Sequence, residues 1–158
     1  MIKEGCEKIY FFHRKDSAST VDSRAAGCRM ACFDAGITFD NESIIIGEPS
    51  DNELVSRIRI ISKKTGILCA HDSTAAVLMS AFSKLGKIVS ADLLIAGFDD
   101  MKYAKLLQVP LTTYRQPLMD IVRNSFLMML RRIANPNQAA VNLNLICVWS
   151  CCPLSPAG

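Results

Sequence analysis

The side chains best suited to grip a ligand are two carboxylates and one guanidinium. Asp99 and Asp100 follow an apolar run. An ionised carboxylate offers two acceptor oxygens, which can hold neighbouring hydroxyls of a sugar together. A charged hydrogen bond of that kind contributes about 1.5–3 kcal/mol, so one well-placed acid can decide selectivity. On spacing alone the pair also reads, and more simply, as loop acids capping the next turn. Arg24 lies one turn inside a predicted helix. Its planar fork suits hydroxyl or carboxylate oxygens, although a lone arginine there is commonly just a solvated helix residue.

Other combinations are weaker. His71 and Asp72 are adjacent, and sequence neighbours rarely orient one another as base and orienter. No Ser or Cys stands in a nucleophile motif, so catalysis is not expected. His13 and His71 are the only histidines, and a metal site built from them and Asp99 has no spacing signature. The glycines form neither a G-x-G-x-x-G series nor a Walker-type loop, and no cofactor is expected. Seven cysteines, at 6, 28, 32, 69, 147, 151 and 152, form no paired ligand motif. They read as small apolar residues of a reducing compartment, and a cytoplasmic location is expected.

The elements that must position these groups fit one domain. The chain has 158 residues, 50% hydrophobic and 21% charged, which excludes intrinsic disorder. Its apolar runs, such as Leu93 to Ala96, fall far short of the about 20 residues of a spanning helix. Lys3, Glu4, Glu7 and Lys8 break up the start before any secretory signal develops. A net charge of +3 argues against holding phosphate backbones as the main task.

Lys8 to His13 reads as a strand, and Ser19 and Thr20 cap a helix to Ala35 whose inner face is Val21, Ala25, Cys28, Ala31 and Cys32. Ile44 to Ile46 is a short strand, Asn52 to Lys64 a helix, and Ile67 to Ala70 a strand buried on both faces. Asp72 or Ser73 caps a helix lined by Ala75, Leu78, Met79 and Phe82 and ended by Gly86. Leu93 to Ala96 is another buried strand, followed by a short helix near Tyr103 to Leu107. Pro110 to Tyr114 is extended, Met119 to Ile133 is a long helix, Leu143 to Trp149 a closing strand, and Cys151 to Gly158 a loose tail. The alternation implies a mostly parallel α/β sheet, with ligands beyond the carboxyl ends of its strands. Three loops qualify there: Arg14 to Thr20, His71 to Ser73, and Gly97 to Asp100.

The order of motifs narrows this further. Strand, H-D, helix, G-x-x-V-x-x-D, strand, G-F-D-D, P-L-T-T and Q-P run from Gly66 to Pro117, and an R-x-x-G helix leads to A-G-I upstream. The set resembles the effector-binding domain of LacI/GalR-family transcriptional regulators, over roughly residues 5 to 150. The resemblance implies a periplasmic-binding-protein-like type I fold, here mostly the second lobe with crossover elements. It also implies a small-molecule effector, commonly a sugar or nucleoside, and a homodimeric parent that reaches operator DNA through a helix-turn-helix.

By the resemblance, Arg24 donates to ligand oxygens, Asp99 accepts from ligand hydroxyls, and Phe98 is an apolar wall. His71 and Asp72 match the N-D pair at the cleft edge, and Gln116 falls where the chain crosses between lobes. His71 stands where Asn is usual, and Val148 stands where Arg is usual. Set against the resemblance, no helix-turn-helix precedes Met1 and the opening half of the first lobe is missing, so a fragment, a truncated gene product or an excised domain is expected. The stripe of Val122, Phe126, Met129 and Leu130 is then expected to be exposed. A transport protein of the same fold is the alternative. An acid–base enzyme using Asp99 and His71 is a third reading.

Overall fold

The computed structural model describes residues 1–15, 20–51, 55, 58, 65–89 and 93–150. Its centre is a four-stranded parallel sheet in the order β2-β1-β3-β4. The strands are β1 (Lys8–His13), β2 (Ile44–Ile46), β3 (Thr65–Cys69) and β4 (Leu93–Ala96). Tyr10 pairs with Ile67, and Ile67 with Ile95, so the three inner strands run in step.

Alternate residues of these strands point to opposite faces, and each face has a helix to bury them. Helix α1 (Thr20–Asp34) brings Val21, Cys28 and Cys32 onto Ile9 and Phe11. Helix α2 (Asp72–Lys84) brings Ala75, Leu78 and Phe82 onto Tyr10, Phe12, Ile67 and Leu93. Gly36 and Gly86, at φ 68° and 70°, turn the chain out of the two helices where a side chain would be strained. Of α1's expected inner face, Ala25 is partly buried and Ala31 is exposed.

The expected helix from Asn52 to Lys64 lies outside the described residues except for Val55 and Ile58, both buried in the α2-side core. Ser19 and the Cys151 to Gly158 tail also lie outside them. The expected capping of α2 is corrected. His71 is the N-cap without a side-chain cap bond, because Asp72 turns its carboxylate elsewhere. The short helix expected near Tyr103 is a 3-10 turn, Lys102–Leu106.

Beyond β4 the architecture thins. Strand β5 (Thr113–Arg115) pairs antiparallel with β6 (Val148–Ser150), outside the main sheet. The closing strand expected from Leu143 is therefore shorter and later, since β5 offers only three partner residues. Helix α3 (Leu118–Ala134) buries none of its residues. Among the described residues no helix is long and apolar enough to cross a membrane.

Candidate functional site

The parallel sheet brings the carboxyl ends of β1, β3 and β4 to one edge, and the candidate residues meet there. Arg24, in the second turn of α1, is anchored by the end of β3: its Nη1 donates to the Ala70 carbonyl at 2.6 Å. Its guanidinium carbon lies over the Phe98 ring, 3.7 Å from the centroid, and its Nη2 reaches to 4.0 Å from Asp99 Oδ1. Stacking and a carbonyl anchor pre-orient a side chain that would otherwise sweep through solvent. Phe98 also meets Tyr114, with centroids 5.3 Å apart.

Asp99 sits at φ 113° and Asp100 at φ 52°, both in the region that favours glycine. Such backbone costs about 1–3 kcal/mol per residue and persists only where the surroundings impose it. Here they do. The Asp99 N–H donates to the Tyr114 carbonyl at 3.0 Å and the Asp100 N–H to Thr113 Oγ1 at 3.2 Å. The twist aims the two carboxylates apart. Asp100 pairs with Arg115 Nε, while Asp99 accepts from Gln116 Nε2 at 2.7 Å and lies 3.0 Å from His71 Nδ1. Asp99 stays 27% exposed and His71 39% exposed, so both remain open to a ligand.

Asp72 is different. Its side chain is wholly buried, with Oδ1 accepting from Thr113 Oγ1 at 2.6 Å and Oδ2 from the Met101 N–H at 2.8 Å. Its own N–H donates to the Phe98 carbonyl at 2.9 Å. Asp72, which the resemblance places at the cleft edge, thus spends one oxygen on Thr113 of β5 and the other on Met101 of the loop that carries Asp99. Gly97 is required by the same packing, because a methyl there would run into Asp72 Oδ1 and stand 3.0 Å from Leu111 Cδ2.

Burial sets the electrostatics beneath the rim. It pushes the Asp72 carboxyl above its ordinary value, against the hydrogen bonds from Thr113 and Met101. Burial also pulls the Arg24 guanidinium down, with the Asp99 charge opposing it. At Asp100 burial raises the carboxyl, but hydrogen bonding to Arg115 and neighbouring charges outweigh it and hold the group below the usual range.

Arg24, Phe98, His71, Asp99 and Gln116 are thus brought to one rim, and Asp72 is placed under it. The supporting residues Thr113, Tyr114 and Arg115 escaped the reading of the sequence, although the P-L-T-T run marked their segment. His13 takes no part in the cluster just described; its Nδ1 bonds the Arg14 carbonyl at 2.8 Å. Among the described residues no group of three or more His, Cys, Asp or Glu side chains could hold a metal. Chemically the rim presents one cation, one acid, an imidazole and an amide, all suited to binding hydroxyls and none in a nucleophile–base pairing.

Residues 1–149 match the family described as the periplasmic binding protein-like domain. The chain belongs to that family. This periplasmic binding protein-like domain is 30% identical over 137 residues to the HTH-type transcriptional repressor PurR of Vibrio vulnificus, covering 84% of this chain and 41% of the relative. It is 28% identical over 148 residues to the ribose operon repressor of Haemophilus influenzae, covering 87% of this chain and 43% of the relative. Its fold is similar to that of the transcriptional regulator CelR in complex with cellobiose, at TM-score 0.82 and 21% identity, covering 94% of this chain and 46% of that one. The chain therefore spans less than half the length of these relatives. The LacI/GalR resemblance is borne out, and the domain corresponds to the effector-binding part of such regulators.

Proposed function

We propose that this domain senses a small polyhydroxylated effector, a sugar or nucleoside, at the carboxyl edge of β1, β3 and β4. Asp99 accepts from two neighbouring hydroxyls, Arg24 donates to a ligand oxygen, and His71 and Gln116 flank the acid. Phe98 is an apolar wall beside them, and Asp72 holds the Asp99 loop in place. The observation that carries this reading is Asp99 itself. A partly exposed carboxylate sits at positive φ with partners from the head of α2 and the segment after β5. Strain retained at an open acid suits a group prepared for a ligand. The names of relatives point the same way, since one is a ribose operon repressor and another binds cellobiose.

As the sensing portion of a LacI/GalR-type regulator, the domain would act by favouring one of two lobe arrangements when the effector binds. Operator DNA would be reached through a helix-turn-helix elsewhere in the regulator, in a cytoplasmic homodimer. The domain binds its effector without turning it over. Titration calorimetry with pentoses, hexoses and nucleosides, followed by chromatographic recovery of each ligand, tests this. Saturable binding of at least one compound, recovered unchanged, is expected. Chemical conversion of a bound compound, or saturation by none, would contradict the reading.

A further inference from the structure

One face of the β5–β6 ribbon grips the loop that carries Asp99. Thr113 and Arg115 are two residues apart in β5, and Ser150 of β6 stands opposite Thr113, so the three side chains leave the ribbon on the same side. All three meet Asp100. The Asp100 N–H donates to Thr113 Oγ1 at 3.2 Å, Arg115 Nε donates to the carboxylate, and the Ser150 side chain hydrogen-bonds the same carboxylate. The Asp100 side chain is left only 9% exposed, whereas that of Arg115 is 51% exposed.

An aspartate is not what the turn itself asks for. At φ 52° a glycine would sit without strain, so Asp100 gives up conformational ease for a carboxylate fastened to the ribbon. The residue before it is Asp99, also at positive φ, with its own N–H held by the Tyr114 carbonyl at 3.0 Å. The backbone points the two carboxylates apart, and fastening one fixes the direction of the other.

We infer that Arg115 is a positioning residue for the proposed effector site: it holds Asp100 against the ribbon and thereby aims the Asp99 carboxylate at the ligand. The inference rests on the sensing reading given above and deepens it, because the central acid of the rim then depends on a residue outside the rim. Arg115 acts through Asp100 and not by contact with the ligand. Its Nε–H has a direction fixed by the guanidinium plane, and a donor of that kind sets an angle as well as supplying charge. Ser150 adds a bond from the second strand, so the loop is tied to the ribbon as a unit.

Two measurements test this on the intact chain, and the first needs no ligand. Proton–nitrogen spectra at neutral pH should show the Arg115 Nε–H as a slowly exchanging signal, assigned by its absence in Arg115→Met. In that variant the Asp99 amide should exchange about tenfold faster while the urea unfolding midpoint holds, since a half-exposed side chain is lost from the surface. An Nε–H that exchanges like a free arginine's, or an unchanged Asp99 amide, would overturn the inference. Calorimetric titration with ribose, galactose and adenosine then reads recognition. Whichever of these the parent chain binds should bind about tenfold more weakly in Arg115→Met, the scale of one charge-assisted bond. In an Asp99→Asn background the same substitution should change affinity by about twofold or less, because no aimed carboxylate is left to lose. An equal loss in both backgrounds, or an unaltered affinity in Arg115→Met, would contradict the role of Arg115 while leaving effector sensing intact. Saturation by none of the three compounds would count against the sensing reading and would take this inference with it.

Discussion

Helix α2 repeats apolar residues at Ala75, Leu78, Met79 and Phe82 and buries all four, whereas α3 repeats Val122, Phe126, Met129, Leu130 and Ile133 and buries none. Both sequences satisfy the same helical period. The difference lies in what stands opposite. Helix α2 lies on β3 and β4, whose alternate residues Ile67, Cys69, Leu93 and Ile95 fill the space beneath it. Helix α3 follows β5, which belongs to a separate two-stranded sheet, and none of its residues enters either buried core cluster. Periodicity thus specifies which face of a helix is apolar, and the neighbouring layer decides whether that face contributes stability.

The comparison breaks most readily at its two phenylalanines. Phe82 is 1% exposed and Phe126 is 55% exposed. Phe82→Ala should cost about 3–5 kcal/mol of unfolding free energy in urea titrations, by lost transfer energy and a residual cavity. Phe126→Ala should stay within about 0.5 kcal/mol of the parent chain. Equal losses would mean that α3 is packed as α2 is.

Next in size is the buried acid at the head of α2. Asp72→Asn keeps the shape, yet places an amide donor against the Thr113 hydroxyl or the Met101 N–H. A loss of about 1–3 kcal/mol is expected in the same titrations. The variant also tests a pH dependence. Burial raises the Asp72 carboxyl, so the folded chain keeps that proton to higher pH than the unfolded chain does. Its contribution is full below the ordinary aspartate value of about 3.9 and fades as pH rises through the raised one. Asp72→Asn should remove that fall from the stability profile, and an unchanged profile would contradict the assignment. Asp100, held low, works oppositely: its contribution is present above the ordinary value and is lost as pH falls.

The smallest effect separates the two regions by thiol accessibility. Cys28 is buried on the sheet and pushed up to about 12 by burial and by Cys32, and burial also raises Cys69. Cys147, just before β6, is partly exposed. In a Cys151→Ser, Cys152→Ser background, a thiol reagent should label Cys147 first, with Cys6, Cys28, Cys32 and Cys69 reacting only on unfolding. Fast labelling of a core cysteine would contradict the packing of α1.

Much of the lobe was legible because its signals are local. The β-forming run at Lys8 to His13, the short apolar run at Leu93 to Ala96 and the period of α2 each need only neighbouring residues to be read. What failed depended on distant partners. Leu143 to Cys147 is apolar enough for a strand, but a strand needs an edge to pair with, and β5 supplies three residues. Asp72 could cap a helix, meet a ligand or turn inward. Thr113, 41 residues away, decides among these, and nothing near Asp72 announces it. At the rim, the types of Arg24 and Asp99 suggested binding, while their convergence came from the order of the strands and from the resemblance.

The central claim is that Asp99 accepts from ligand hydroxyls at an edge shared with Arg24. Asp99→Asn measures it most directly, since the substitution removes charge and leaves size unchanged. With a sugar or nucleoside that the parent chain binds, calorimetry should show affinity reduced about tenfold or more, while the unfolding midpoint barely moves. An unaltered affinity would contradict the site, whatever the family.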